Sequence, residues 1–254
     1  MTRLDDDQRE RYARNLLLPG FGEEAQSRLL EAKVLVVGAG GLGSPVLLYL
    51  AAAGVGHLGV ADGDAVEAAN LQRQVIHSRG SVGTPKTASA AARLRDLQPD
   101  VRVIEHGRVT PAGAADLFAR HDVVVDCTDT FASKYLIADA CAAVGVPLVW
   151  GTIVGMSFQV SVFWTGAPAP HPAVSLRDLH PLPPPAGATP SSLDVGVLGA
   201  ACGQAGSVMA AEAIKLITGV GTPLLGRVLV ADAGAGRWDV LPFNTHAEEP
   251  WRSR

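Results

Sequence analysis

Three cysteines in 254 residues, Cys127, Cys141 and Cys202, are too few and too scattered for a disulfide framework or a four-cysteine zinc site. Their scarcity fits a reduced, cytoplasmic setting. A basic surplus is missing as well: 21 Lys and Arg stand against 25 Asp and Glu, a formal net charge of -4. Proteins that grip nucleic acid through its phosphates need a basic surface, so that class is set aside. The opening Met-Thr-Arg-Leu-Asp-Asp-Asp has no apolar signal core. Two long uncharged runs, Val34 to Ala61 and Ala140 to Leu176, are interrupted by Gly and Pro, so neither reads as a membrane-spanning helix. What remains is a chain with 48% hydrophobic residues, enough to bury a substantial core in one large domain spanning residues 1–254.

The stretch Lys33-Val-Leu-Val-Val-Gly-Ala-Gly-Gly-Leu-Gly43 puts a β-branched apolar run directly before Gly38, Gly40 and Gly43. The run predicts a buried parallel strand. Gly38 and Gly40 allow a turn that brings backbone close to a phosphate, and Gly43 lets the next helix, about Leu42 to Ala53, pack tightly. Asp62 closes a second strand, Leu58 to Ala61, near the offset at which a carboxylate can accept hydrogen bonds from a ribose. Strand, glycines, helix, strand and acid in this order point to a nucleotide, without saying which one.

Ahead of this unit, residues 1–32 form a helical arm, broken at Leu18-Pro19-Gly20, on which Arg11 and Arg14 share a face. Such arginines are either a solvated surface or an arm that delivers a guanidinium to an anion, possibly on another subunit. Asp62-Gly63-Asp64 opens a polar irregular stretch through Glu67, Asn70, Arg73 and Gln74 to Gly83 and Lys86. A connection this long in a compact domain is more often functional than idle, and Arg73 and Lys86 offer cations for phosphate. Lys86 begins a helix that ends near Leu97. A strand over Val101 to Glu105, a short helix over Asp116 to Ala119 and a buried strand centred on Val123 to Val125 follow. Asp129 lies just past that last strand, placed either for Mg²⁺ or a nucleotide, or to cap the following helix, Ser133 to Ala143. Strands are expected at Pro147 to Trp150, Gln159 to Phe163, Gly226 to Asp232 and Trp238 to Leu241, with a long helix over Gly196 to Thr218. Residues 165–194 are crowded with prolines and read as a mobile surface loop; His171 and His180 within it make no metal argument. The tail after Phe243 is polar and reads as frayed. The fold class implied is α/β: a Rossmann-like, mainly parallel sheet with helices on both faces, an N-terminal helical arm and antiparallel strands toward the C-terminal side.

Several motifs now line up with a family. Arg11-Tyr-Ala-Arg14 with Leu18-Pro-Gly20, Val37-Gly-Ala-Gly-Gly-Leu-Gly-Ser-Pro45, Asp62-Gly-Asp-Ala-Val-Glu67, Asn70-Leu-Gln-Arg-Gln74, Gly83-Thr-Pro-Lys86, Asp126-Cys-Thr-Asp129, Gly196-Val-Leu-Gly199 and Glu212-Ala-Ile-Lys215 occur in one order. From about Arg11 to Leu241 the chain resembles the MoeB/ThiF adenylyltransferases, bacterial relatives of the ubiquitin-activating enzymes. That resemblance implies ATP- and Mg²⁺-dependent adenylation of the C-terminal Gly-Gly carboxylate of a small ubiquitin-like sulfur-carrier protein, with release of pyrophosphate. It places Gly38, Gly40, Gly41 and Gly43 against the phosphates, Asp62 on the ribose, and Asn70, Arg73 and Lys86 on phosphate. Asp129 would bind the metal, with Asp64, Gln74 and Thr130 in the same nucleotide site. Arg14 would reach in from the partner of a homodimer.

Three departures from the family pattern matter. The two Cys-x-x-Cys pairs that hold a structural zinc are absent, so no zinc is expected. The loop cysteine ahead of Gly196 is replaced by Ser192, a far weaker nucleophile, which removes the basis for covalent transfer through that loop but not for adenylation. Ala69 and Thr130 replace the Ser and Asn usual beside Asn70 and Asp129. Cys127 and Cys141 read as core, and Cys202 is the one cysteine worth testing for reactivity. No rhodanese-like extension is recognised, so the sulfur donor is expected to be a separate protein. The competing readings are an NAD-dependent oxidoreductase, which needs neither Arg73, Lys86 nor Asp129, adenylation of a short peptide, and a catalytically silent nucleotide-binding scaffold.

Overall fold

Val34, Leu35 and Val36 are wholly buried, which the alternation of a half-exposed strand cannot do; a strand buried on both faces belongs in the middle of a parallel sheet covered by helices. The computed structural model puts it there. It describes residues 3–185 and 192–243, with nothing of the side chains of Ser192 and Leu193. An arm of α1 (Asp6–Arg11), α2 (Ala13–Leu16) and α3 (Gly22–Glu31) leads into β1 (Lys33–Val37), α4 (Gly43–Ala53), β2 (His57–Ala61), α5 (Lys86–Leu97) and β3 (Arg102–His106). Then come α6 (Pro111–Phe118), β4 (Val123–Asp126), α7 (Phe131–Val144), β5 (Leu148–Val154) and β6 (Ser157–Phe163). Last are α8 (Leu176–Leu179), α9 (Ser192–Val195), α10 (Gly199–Thr218), β7 (Arg227–Asp232) and β8 (Arg237–Pro242).

The eight strands form one sheet in the order β3-β2-β1-β4-β5-β6-β7-β8. The first five are parallel, and β6, β7 and β8 add on antiparallel. Helices α4, α5, α10 and α3 pack together over one face, while α6 and α7 pack over the other. This is a Rossmann-like α/β fold with antiparallel strands at one side. Its topological switch point lies between β1 and β4, the two strands from which the chain moves outward in opposite directions. Val37 stands opposite both Ala61 and Asp126, so the carboxyl ends of β1, β2 and β4 are level, and the loops that follow them open onto one edge.

Four elements differ from the sequence expectation. The arm is not one helix before its break: Tyr12 interrupts it, so Arg11 and Arg14 lie on separate short helices. The reason is Tyr12 itself, which is buried and accepts a 2.6 Å hydrogen bond from Gln98 Nε2. Helix α6 begins at Pro111, five residues ahead of the expected start, because proline at a first helical position is preorganised for it. Strand β5 runs past Trp150 to Val154, drawn out by its antiparallel partner β6, which pairs with all seven of its residues. Helix α10 starts at Gly199; the Gly196 peptide instead bridges to Gly155, accepting from its N–H at 3.1 Å.

Of the proline-rich stretch, the part before Pro185 is fastened down. Val174 and Leu176 are in the core, Ser175 and Asp178 form a capping box on α8, and Arg177 makes a two-point pair with Asp139 of α7. Residues 186–191 and the tail after Phe243 lie outside the described residues. Among the described residues, no helix is long and apolar enough to cross a membrane.

Candidate active site

The turn after β1 is built from contacts that exclude larger residues. A Cβ at Gly43 would fall 1.9 Å from the Gly38 carbonyl oxygen, a backbone atom with nowhere to go. Gly38 has φ +99°, and a Cβ there would meet the Cys127 carbonyl oxygen at 2.8 Å, so β1's turn and β4's exit are in contact. No side chain caps the start of α4; the Ser44 N–H goes to the Gly40 carbonyl at 2.9 Å and Pro45 has no N–H, so this apolar helix meets the opening chiefly through its positive dipole end.

Asp62 fixes this turn. Its Oδ2 accepts from the Ala39 N–H and its Oδ1 from the Asp64 N–H, both at 2.8 Å. Each oxygen keeps a further lone-pair direction, so the half-buried carboxylate can still take a hydroxyl donor. Beside it is a cleft of about 580 Å³, lined by Asp62 to Ala65 from the loop after β2, Pro85 and Thr87 at the start of α5, and Glu105 to Arg108 at the end of β3.

Asp64 is shared by two cations. Lys86 Nζ stands 3.2 Å from Oδ2, and Arg108 NH2 donates to Oδ1 at 2.9 Å. Lys86 is 7% exposed, an unusual burial for a lysine, so its ammonium is held at a defined place at the edge of the cleft. Arg73 reaches only weak 3.4 Å contacts with the Ala69 carbonyl and Asn70 Oδ1, which leaves most of its donors uncommitted. Its stem lies over Gly41, where a Cβ would meet Arg73 Cγ at 3.4 Å and Cys202 Sγ at 2.9 Å. Gln74 is buried against Gly40, its Oε1 without a hydrogen-bond partner among the described residues.

Asp129 is exposed just beyond β4, and among the described residues no hydrogen bond or ion pair engages its carboxylate. The helix that follows does not use it as a cap. Thr130 is the N-cap of α7, its Oγ1 accepting from the Ser133 N–H at 3.2 Å. Beneath lies Asp126, fully buried, whose Oδ1 takes two hydrogen bonds from Thr128 and whose Oδ2 stands 3.5 Å from Lys134 Nζ.

The fold thus brings together the glycine turn, Asp62, Asp64, Asn70, Arg73, Gln74, Lys86 and, one strand over, Asp129 with Thr130. It does not bring Arg14. Tyr12 packs on Gly54, where a Cβ would meet its ring at 2.6 Å, and Asn15 donates to Gln26, which donates to the Ala53 carbonyl. The arm therefore sits at the carboxyl end of α4, one helix of about 16 Å away from the glycine turn. The side chain of Arg14 is exposed there and engages no described residue.

Sequence reading missed Lys134, Arg108 and His77. A single lysine in a largely apolar helix carries no spacing signal, nor does a lone histidine. His77 is 8% exposed, with Nε2 2.9 Å from the Ala39 carbonyl oxygen and Nδ1 2.9 Å from Ser89 Oγ. Burial first, and Lys86 nearby, hold its pKa below the ordinary histidine value, against the smaller upward pull of the Ala39 hydrogen bond and of Asp62. Cys202 is buried, and desolvation pushes its thiol up to about 11, despite Arg73, so it is not a thiolate at neutral pH. Cys127 and Cys141 are buried with thiols pushed upward too, in keeping with a core role. The Glu212 and Lys215 motif is structural: Glu212 is buried, pairs with Lys215 and accepts from the Leu224 N–H at 2.8 Å. Among the described residues, no three His, Cys, Asp or Glu side chains cluster as metal ligands. Ser192 is described in its backbone alone, at the start of α9.

Comparison with known proteins places the chain in a family. A profile described as the ThiF family matches residues 12–251. The chain is 51% identical over 231 residues to the probable adenylyltransferase/sulfurtransferase MoeZ of Mycobacterium tuberculosis, covering 91% of this chain but 59% of that one. It is 45% identical over 232 residues to a sulfur carrier protein adenylyltransferase of Thermus thermophilus, covering 91% of this chain and 86% of that one. Among solved structures, Escherichia coli MccB crystallised with MccA-N7isoASN superposes with a TM-score of 0.81 at 20% identity, over 95% of this chain and 73% of that one, a likeness of fold.

Proposed function

The chain belongs to the ThiF family, and from that premise we propose that it uses ATP to adenylate the C-terminal glycine carboxylate of a small ubiquitin-like sulfur-carrier protein. The observation that carries this reading is the convergence, at the level carboxyl ends of β1, β2 and β4, of an uncapped helix start, a positioned lysine and an uncommitted carboxylate. A dinucleotide needs only the first of these. The charged site also weighs against a silent scaffold.

In the proposed reaction a carrier carboxylate oxygen attacks the α-phosphorus of ATP, an O–P bond forms, and the bond to the β-phosphate bridging oxygen breaks. The products are acyl-adenylate and pyrophosphate. No general base is called for, since a terminal carboxyl, with an ordinary pKa of about 3.5, is already ionised at neutral pH. The barrier is electrostatic: an anion must approach a polyanion, and charge develops on the α-phosphate and on the leaving group. Asp62 holds the ribose, which seats the triphosphate over the start of α4. Lys86, Arg73 and Asn70 bind its oxygens, with Gln74 at the same turn. Asp64 holds the Lys86 ammonium at the cleft edge, and Thr130 orients the α7 terminus beside Asp129.

Asp129 suits a divalent cation: it is exposed, unpaired and hard in its donor chemistry, and one protein carboxylate plus phosphates and water is how Mg²⁺ is commonly held. When bound, Mg²⁺ screens phosphate charge. Arg14 is assigned to the site of a second subunit, because its own lies a helix length away, so the enzyme is proposed to act as a homodimer. None of the three cysteines is exposed, so sulfur is proposed to come from a separate donor protein. Zinc has no part in this chemistry. The chain is proposed to work as a single adenylation domain.

The test is ATP–pyrophosphate exchange with Mg²⁺ against a panel of Gly-Gly-ending carriers, each paired with a form lacking its last glycine. Exchange that requires the intact tail is expected. Absence of exchange with every carrier, alongside measurable ATP binding, would shift the assignment to a short peptide substrate or a catalytically silent scaffold.

A further inference from the structure

His77 stands in none of the contacts assigned above to ATP, yet it joins the two elements on which those contacts depend. It leaves the irregular segment after Gln74 and turns inward, 8% exposed. One ring nitrogen faces the glycine turn and the other faces α5, each at 2.9 Å. In the neutral ring the partners fix the tautomer. A backbone carbonyl can only accept, so Nε2 carries the proton and donates to the Ala39 oxygen. Nδ1 is then an acceptor for the Ser89 hydroxyl. Ser89 lies three residues after Lys86, on the same face of α5 one turn further on.

Ala39 is therefore gripped from two directions, its N–H by Asp62 and its carbonyl by His77. The peptide planes on either side of Ala39 set the direction in which the next amides, those of Gly40 and Gly41, point. Glycines bring freedom to this turn, with φ +99° at Gly38, and something else must remove it. We propose that His77 is a positioning residue for adenylation: an imidazole that locks the phosphate turn and registers it against the helix bearing Lys86. The inference rests on the nucleotide reading given above.

ATP and adenosine separate this role from a merely structural one, because adenosine has a ribose and base but no phosphate. His77→Asn keeps polarity but is too short to span from α5 to Ala39; His77→Gln carries an amide N–H near the place of Nε2. Binding of Mg²⁺-ATP to the full chain, by isothermal titration, is expected to weaken about tenfold in His77→Asn, the worth of one buried hydrogen bond, and to recover to within about threefold in His77→Gln. Adenosine affinity, by competition against a fluorescent adenine nucleotide, is expected to change less than twofold. Ser89→Ala, a milder substitution on the outer side of the bridge, is expected to shift ATP affinity in the same sense by about threefold, which keeps the test available if His77→Asn fails to fold. Equal weakening of ATP and adenosine, or wild-type ATP affinity in both His77→Asn and Ser89→Ala, would overturn the proposal. Wild-type chain that binds no ATP at all would instead overturn the nucleotide reading beneath it.

Discussion

At Asp129 and Thr130 two neighbours with similar polarity divide two tasks. From sequence, a carboxylate just past a buried strand fits both a helix cap and a ligand site, and nothing in residue type separates them. The structure separates them because Thr130 takes the cap: its Oγ1 accepts from the Ser133 N–H and donates to Ser133 Oγ. Asp129 is left with no structural employment. Thr130→Ala is expected to lower unfolding free energy by about 1 kcal/mol in urea titration, the usual worth of an N-cap. Asp129→Ala is expected to leave stability within about 0.5 kcal/mol, as for an exposed unpaired side chain, while abolishing carrier-dependent exchange. The opposite pattern would return Asp129 to the capping role. Asp62, Arg73 and Lys86 were legible because glycine spacing and strand order locate them. His77 and Arg108 were not, because their significance comes from partners across the fold, Ala39 and Asp64, to which no sequence interval points.

Elements were read best where local and tertiary requirements agree. The run from Lys33 to Ala53 and the helix beginning at Lys86 came out nearly residue for residue, since apolar strand, glycine turn and helix periodicity all say the same thing. Helix α6 and the end of β5 were read short because one starts at a proline five residues upstream and the other depends on pairing with β6. Sequence reading also left out the tie that binds β4, α7 and β5. Lys134, 2% exposed on α7, stands between Asp126 of β4 and the Gly151 carbonyl of β5, with its ammonium 5.5 Å from the centre of the Trp150 ring. Asp126 is wholly buried, and among the described residues its carboxylate meets this ammonium and Thr128. Removing one partner strands the other: Lys134→Met is expected to cost about 3–5 kcal/mol in urea unfolding. Lys134→Met together with Asp126→Asn should recover part of that loss. A cost below about 1 kcal/mol for Lys134→Met alone would mean that this tie carries little of the fold's stability.

For the molecule as a whole, the sheet edge collects every charged group of the proposed site except one, and the exception determines how many chains a functioning site requires. Arg14 lies on the arm, and the arm is pinned by Tyr12, Asn15 and Gln26 to the end of α4 opposite the glycine turn. A helix of 11 residues, about 16 Å, separates them. No side-chain rotation closes that gap, and freeing the arm would expose Tyr12 and break the Gln98 hydrogen bond. If Arg14 contributes to adenylation at all, it does so in a neighbouring copy. Beside it Leu17 and Leu18 are exposed, 74% and 52%, an apolar surface that a second copy could cover. The consequence can be measured by complementation. Arg14→Ala and Lys86→Ala proteins are each expected to be inactive in carrier-dependent exchange, one lacking the donated guanidinium and the other the resident ammonium. In an equimolar mixture with randomly exchanged subunits, half of the dimers pair one of each. One site in such a dimer has Lys86 and receives Arg14, and the other lacks both. About a quarter of wild-type activity is therefore expected to return, by the statistics of a two-fold symmetric pair. If each site used its own Arg14, no mixing ratio would restore any.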